Sequence, residues 1–191
     1  MTVRPKDAAS LVLVRHDAGA PAVLLGRRAA GHRFAPDVFV FPGGRVDPGD
    51  HRVSVDLHDD VLLRTKQHMT PATARALAAA AIRETAEETG LTISSAGALR
   101  YLGRAITPYA SPIRFHARFF MADAADARGD LAGSGELVDL GWFAIPEALR
   151  LPLVDITEFM LHEIGRRLTH PSTTTTPFYT YRSGRPIIRH E

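Results

Sequence analysis

Short apolar runs, separated by polar and turn-forming segments, predict a mixed α/β chain. Strands are predicted at 10–15, 22–27, 38–41, 99–105, 113–122 and 136–143, where β-branched and large apolar residues cluster. The segment 17–21, which contains a glycine and ends in a proline, predicts a hairpin turn between the first two strands. The short third run leads into a turn instead of continuing as a long strand.

A long helix is predicted in the middle of the chain. Thr70 suits an N-cap and Pro71 suits the first helical position, so the alanine-rich run should be helical to Thr89, where Gly90 ends it. A helical turn at 146–149 and an amphipathic helix at 157–168 are also predicted.

The tail from Pro171 is rich in threonine but carries two apolar pairs. These pairs, at 178–179 and 187–188, are predicted to dock on the core or on a partner subunit. No internal repeat is visible, and the order of the elements predicts a single α/β domain over residues 1–191.

Composition limits the possible function classes. The 191 residues, 45% of them hydrophobic, suffice for one full core. The chain has no cysteine, which excludes disulfides, thiolate metal sites and cysteine nucleophiles and favours a reducing compartment. No apolar run reaches the roughly 18–20 residues of a membrane span, and residues 1–10 lack a signal-peptide core. With scattered arginines and a net charge of +2, we expect a cytoplasmic protein without membrane or nucleic-acid partners.

The strongest chemical signal lies at 83–91. Glu84, Glu87 and Glu88 stand at i, i+3 and i+4, so a helix places them on one face. Three like charges repel each other unless a cation lies among them, and Mg²⁺ or Mn²⁺ prefers oxygen ligands of this kind together with substrate phosphates. Upstream, the Phe-Pro-Gly-Gly turn at 41–44 lets backbone approach a ligand closely.

Turn and helix together resemble the Nudix box, G-x5-E-x7-R-E-U-x-E-E-x-G-U, in which U is aliphatic. The residues that match it are Gly44, Arg83, Glu84, Glu87, Glu88, Gly90 and Leu91. Thr85 stands at an aliphatic position, and Asp50 stands at the first glutamate with Asp47 nearby. Where the family has seven residues before the arginine, this chain has 32, so we interpret 51–75 as an insertion that serves as a lid, a dimer contact or a specificity loop.

The resemblance implies a Nudix-type α/β/α sandwich with a mixed β-sheet and hydrolysis of a diphosphate linkage with Mg²⁺ or Mn²⁺. The implied metal ligands are Glu84, Glu87, Glu88 and the carbonyl of Gly44. Arg83 would orient a carboxylate, and the general base would be either a box glutamate or Glu136. The alternative for Glu136 is a solvated residue at the start of a strand.

The interrupted box and its flanking sequence are similar to the coenzyme A diphosphatase-like branch of that family. The favoured substrate is therefore coenzyme A or an acyl derivative. ADP-ribose or NADH, a nucleoside triphosphate, and a non-catalytic nucleotide-binding module are the alternatives, and a homodimer stays open. Substrate contacts are predicted near the turn, at Arg27, Arg28, Arg33, Arg45, Gly43 and Gly44.

Overall fold

The computed structural model describes residues 3–16, 19–31, 35–94, 96–170 and 175–191. The strands are β1 (Lys6–Arg15), β2 (Ala22–Arg28), β3 (Phe39–Val40), β4 (Gly43–Arg45), β5 (Thr92–Ile93), β6 (Arg100–Ile106), β7 (Phe115–Asp123), β8 (Ala127–Arg128), β9 (Leu137–Ala144), β10 (Pro177–Arg182) and β11 (Arg185–His190). The helices are α1 (Asp59–Thr65), α2 (Pro71–Thr89), α3 (Ile145–Ala148) and α4 (Asp155–Thr169). Positions 17 and 18 of the expected turn lie outside the described residues, as does Arg33.

A mixed sheet forms the centre of the fold. Its strand order is β11-β10-β6-β7-β1-β2-β3, with β4 paired to β1 and β9 paired to β2. The β1–β7 and β6–β10 pairs are parallel, whereas β1 and β2 are antiparallel with Val14 opposite Val23. The predicted antiparallel pairing of the first two strands is therefore confirmed. The first strand begins at Lys6, earlier than its apolar run, because β7 pairs with β1 from Lys6 onwards and β4 pairs with it from Ala8.

Each face of the sheet is covered by helices. In β1, Leu11 and Leu13 belong to a core shared with α1 and α2, whereas Val12 and Val14 belong to a second core shared with α4. Because successive strand residues point to opposite faces, an uninterrupted apolar run is what a strand buried on both faces requires. The predicted α/β/α sandwich is confirmed.

The α2 helix has the caps that its sequence predicts. The Thr70 side chain accepts a hydrogen bond from the Thr73 amide at 3.2 Å, and Gly90 ends the helix with a left-handed φ of 75°. The helix is buried over much of its length, so small alanine side chains let it pack closely on the sheet. Thr85, at the aliphatic box position, is fully buried, and its hydroxyl donates to the Ala81 carbonyl at 2.7 Å.

The segment interpreted as an insertion packs on the core. Val55, Leu57 and Val61 are buried in the same cluster as α2, while Leu63 is exposed on the outer side of α1. No helix among the described residues has the length and apolar character needed to cross a membrane.

The threonine-rich tail ends in a β-hairpin that the apolar pattern does not predict. β10 adds to the sheet beside β6, with Phe178 opposite Arg104 and Tyr179 opposite Ala105. Phe178 and Tyr179 are buried, so this apolar pair docks on the core, whereas Ile188 on β11 is exposed.

A buried ion pair attaches α4 to the sheet. Glu163, which is 5% exposed, accepts hydrogen bonds from Arg166 and Arg167 at 2.7–2.8 Å. Arg167 also donates to the carbonyls of Tyr101 and Leu102 at 2.8 Å. Burial opposes ionisation of Glu163, but the two guanidinium groups lower its pKa below the usual value.

We expect Glu163→Gln to lower the free energy of unfolding by about 2–3 kcal/mol at pH 7, because a charge-assisted pair is lost inside the fold. A lowered folded pKa stabilises the fold above the unfolded pKa of about 4.3, and this stabilisation is lost as pH falls through the folded value. Urea unfolding between pH 7 and pH 3.5 should therefore show the deficit shrinking towards acid. Glu158→Gln, at an exposed position of the same helix, is the control. A pH-independent deficit would contradict the charge argument.

Candidate active site

The glycine turn and the acidic end of α2 lie directly against each other. The Gly43 amide donates to a Glu88 carboxylate oxygen at 2.8 Å. A Cβ on Gly44 would overlap the Glu84 carboxylate, and one on Gly43 would overlap the Ala9 carbonyl. Glycine at both positions therefore permits the backbone to touch the carboxylates.

Arg83 donates hydrogen bonds to four residues in this site. Its Nη1 donates to Glu84 at 2.9 Å and to Glu87 at 3.1 Å. Its Nε and Nη2 donate to the two oxygens of Asp50, each at 3.0 Å, and Nη2 also donates to the Arg45 carbonyl at 3.1 Å. The acidic partners, Asp50 first, raise the pKa of Arg83 above its usual value despite partial burial. The guanidinium group thus fixes carboxylates from two separate parts of the chain.

Asp50 is the acidic anchor of Arg83. Its side chain is 3% exposed and also accepts the Asp47 amide hydrogen bond at 2.7 Å. Although burial alone would raise the pKa of Asp50, the hydrogen bonds from Arg83 and the Asp47 amide lower it. Asp50 therefore stays ionised and holds both Arg83 and the loop that follows the glycine turn.

Glu84 and Glu88 have the opposite electrostatics. Burial raises the pKa of both, that of Glu88 to about 8, and the charges of Glu84 and Glu136 add to the effect at Glu88. Arg28 and the Gly43 amide act in the other direction, but do not offset the burial. The neighbouring positive groups therefore do not offset the cost of burying these two carboxylates, and a bound cation would supply the missing positive charge.

The carboxylates lie in the wall of a cavity of about 740 Å³ that runs across the sheet. At one end are the glycine turn, the acidic end of α2, Arg28, Arg45 and Glu136. Aromatic and aliphatic side chains from β7, α4 and β10 line the other end. The volume falls within the range of small-molecule sites.

Some of the predicted substrate residues line the cavity and others do not. Arg28, Arg45, Gly43 and Gly44 line the cavity with the candidate general base Glu136. Arg27 does not line it. Because neighbouring strand residues point to opposite faces, Arg27 instead pairs with Asp37 at 2.8 Å and with Asp139 at 2.7 Å. Its role as a phosphate contact stays a prediction that the cavity lining does not support.

The sequence pattern did not identify the other end of the cavity. Asp155, Tyr179 and Tyr181 line it, and they come from α4 and from the hairpin formed by the tail. Tyr179 and Tyr181 stand two positions apart, as residues on one face of a strand do. That spacing indicates a strand with both tyrosines on one face. It does not identify the partner strand, which lies far away in the chain.

The donor set suits a hard divalent cation. Glu84 and Glu88 are crowded carboxylates with raised pKa values, and the Gly44 backbone lies against Glu84. Glu87, by contrast, is largely exposed and is drawn towards Arg83. Within the described ranges, no three histidine or acidic side chains are grouped so that they could hold a metal ion on their own. The residues fit a cation that completes its shell with water and substrate phosphate.

Comparisons with known proteins show what the sequence and the fold are similar to. The NUDIX domain model matches residues 72–163, which include α2 with its carboxylates but begin after the glycine turn. A NUDIX hydrolase from Alicyclobacillus acidocaldarius is 27% identical, with a TM-score of 0.66 over 84% of this chain and 90% of that chain.

Two more distant structures share the fold. The NUDIX domain of Shewanella oneidensis NrtR complexed with ADP ribose is 16% identical, with a TM-score of 0.57 over 87% of this chain and 90% of that one. An Ap4A hydrolase from C. elegans is 21% identical, with a TM-score of 0.51 over 85% of this chain and 98% of that one. No curated protein matches the sequence.

Proposed function

We propose that this chain is a pyrophosphohydrolase of the Nudix type, whose cavity hydrolyses a diphosphate linkage in a nucleoside diphosphate derivative with Mg²⁺ or Mn²⁺. The match of the NUDIX domain model to residues 72–163 and the similarity to a NUDIX hydrolase structure support the proposal. The observation that carries the proposal is the contact between the glycine turn and the Arg83-centred carboxylates at one end of the cavity. A diphosphate needs both a cation and fixed positive groups, and this end offers sites for both.

Glu84 and Glu88, with Glu87 and the Gly44 carbonyl, are the proposed metal ligands. When bound, the divalent cation neutralises phosphate charge, orients the diphosphate and lowers the pKa of a water molecule. Arg83 holds Glu84 and Glu87 in place, and Asp50 holds Arg83. The five side chains therefore have different tasks: ligation for the three glutamates and positioning for Arg83 and Asp50.

Glu136 is our proposed general base, with a box glutamate as the alternative. It lies just before β9, lines the same cavity, and its charge is felt by Glu88. A base must reach the proton of the attacking water. Glu136 is exposed and separate from Arg83, so its carboxylate is available for that proton.

Arg28 and Arg45 are the proposed phosphate contacts, because both line the cavity near the carboxylates. Coenzyme A or an acyl derivative is the favoured substrate. This choice is supported by the resemblance of the interrupted box and its flanks to the coenzyme A diphosphatase-like branch. ADP-ribose, NADH and nucleoside triphosphates remain competing substrates, since structures with this fold include a NUDIX domain complexed with ADP ribose and an Ap4A hydrolase.

A panel of diphosphates tests both the proposed reaction and the proposed substrate. We would incubate the enzyme with coenzyme A, acetyl-coenzyme A, ADP-ribose, NADH or ATP, with Mg²⁺ or Mn²⁺, and identify the products by mass spectrometry. We expect metal-dependent cleavage of coenzyme A to phosphopantetheine and adenosine 3′,5′-bisphosphate. Cleavage of another compound alone would keep the reaction and reject the substrate. If a metal-loaded, folded protein bound a nucleotide without cleaving any compound, a non-catalytic binding module would replace the enzyme.

A further inference from the structure

We propose that the end of the cavity formed by Asp155, Tyr179 and Tyr181 recognises a nucleobase that carries an amino group, and discriminates against uracil. The inference rests on the proposed function only in taking a nucleoside diphosphate derivative as the occupant. It assigns a base-recognition role to Asp155, a residue outside the carboxylate cluster on α2.

The three side chains form a connected group. The Tyr181 hydroxyl donates to one carboxylate oxygen of Asp155, and the other oxygen accepts the Ile156 amide hydrogen bond at 2.8 Å. The Tyr179 and Tyr181 rings meet edge to face with centroids 5.6 Å apart, and Phe159 packs against Tyr179 at 5.1 Å. Asp155 is therefore held at the cavity wall beside an aromatic surface.

The position of this group suits the nucleoside part of a ligand. Tyr179 lies on β10, and three strand spacings separate β10 from β1, beside which the glycine turn lies. Neighbouring strands are about 4.8 Å apart, so β10 lies roughly 14 Å from β1, and β4 with its glycines lies one spacing further, on the other edge of β1. A diphosphate at the carboxylate end can therefore extend its nucleoside towards the tyrosines.

The charge distribution determines which part of a ligand fits here. Cavity-lining arginines Arg28, Arg45 and Arg83 belong to the carboxylate end, whereas the charged lining residue at the tyrosine end is Asp155. An anionic group would be repelled there. Burial first, and the Asp155 carboxylate second, raise the pKa of both tyrosines, so their hydroxyls remain protonated donors. The site thus suits an uncharged ring and excludes phosphate.

A carboxylate distinguishes bases by the groups on their edges. Adenine, cytosine and guanine present an amino group that donates to a carboxylate, as in the pairing of acidic side chains with cytosine N4. Uracil presents a carbonyl oxygen at the position where cytosine has its amino group, so in the same pose it would place that oxygen against a carboxylate oxygen, two acceptors with no hydrogen to share. The aromatic surface accepts any base by packing, so the discrimination comes from Asp155.

Equilibrium binding of non-hydrolysable nucleotides tests this inference without turnover. We would titrate the full chain, with Mg²⁺, with α,β-methylene-ADP and α,β-methylene-UDP in a calorimeter. The wild type should bind the adenine analogue about tenfold more tightly, as one discriminating hydrogen bond predicts. In Asp155→Asn the ratio should approach one, because an amide can also donate to a uracil carbonyl.

Glu147→Gln is the matched control, since Glu147 is exposed on α3 and does not line the cavity. It should keep the wild-type ratio. Equal binding of the two analogues by the wild type, binding of neither, or an unchanged ratio in Asp155→Asn would overturn the inference. Cleavage in the diphosphate panel is measured separately. A protein that shows the base preference but cleaves nothing would retain this inference and lose the proposed reaction.

Discussion

Glu84→Gln should lower kcat for the diphosphate substrate by about 10²–10⁴-fold, the range expected when a group that acts on the reacting centre is lost. Glu84 lies against Gly44, accepts from Arg83 Nη1 at 2.9 Å, and is half-buried. Glutamine keeps the shape and loses the charge that a cation requires. The variant should be measured at saturating substrate and over a range of Mg²⁺ and Mn²⁺ concentrations.

The metal-free fold should tolerate this change. Burial raises the pKa of Glu84, and the charge of Glu84 adds to the raised pKa of Glu88, so removing the charge relieves repulsion. The melting temperature without metal should be unchanged or slightly higher, whereas its increase on adding Mn²⁺ should shrink, because a ligand stabilises only the state that binds it.

Glu147→Gln, at an exposed site on α3, should keep both kcat and the metal-induced stabilisation. A Glu84→Gln enzyme with wild-type kcat would remove Glu84 from the active site. Loss of kcat with an unchanged metal response would assign it a role other than metal ligation.

The sequence predicts best those elements whose signals are local. Thr70, Pro71 and Gly90 mark the ends of α2, and an alanine-rich run fills it, so the structure places the helix where the sequence predicts it. The uninterrupted apolar run of β1 likewise predicts a strand. Its alternate residues enter two different cores, and that division follows from the geometry of any strand.

The tail hairpin could not be predicted in the same way. Its residues are stabilised by pairing with β6, and Phe178 lies opposite Arg104 across a long sequence separation. A threonine-rich segment with two apolar pairs carries no information about that partner. The tyrosine end of the cavity depends on this pairing, so it was missed together with the hairpin.

The sequence predicts which residues contribute to the candidate site, but not which of them contact each other. Arg27 and Arg28 are equivalent in sequence, yet the register of β2 turns Arg28 towards the cavity and Arg27 towards Asp37 and Asp139. Likewise, the resemblance indicated Asp50 as an acidic position. The bidentate contact with Arg83 became visible only when the intervening segment was folded onto the core.

Asp50→Asn should both destabilise the protein and lower its activity. The Asp50 carboxylate is buried and binds Arg83 through two hydrogen bonds of 3.0 Å, so its neutral replacement leaves a guanidinium without its main anionic partner. Because Arg83 keeps some exposure to water, we expect a loss of about 2–3 kcal/mol in the free energy of unfolding, somewhat below the cost of breaking a fully buried pair. Urea unfolding at pH 7 measures it.

Asp60→Asn is the matched control for stability. Asp60 pairs with Arg64 at 2.7 Å one turn apart on α1, and such a partly exposed i, i+4 pair contributes only about 0.5 kcal/mol. The two aspartates therefore differ mainly in burial and in the group that they hold. A similar loss in both variants would show that Asp50 has no special role.

The coupling between Asp50 and Arg83 links stability to catalysis. If Asp50 acts through Arg83, the losses in Asp50→Asn and Arg83→Gln should not add, and a double-mutant cycle should give a coupling energy of about 1–3 kcal/mol. The activity losses should overlap in the same way, because both substitutions release the contacts that position Glu84 and Glu87. Additive losses would mean that Asp50 supports the fold alone and that Arg83 orients the glutamates without it.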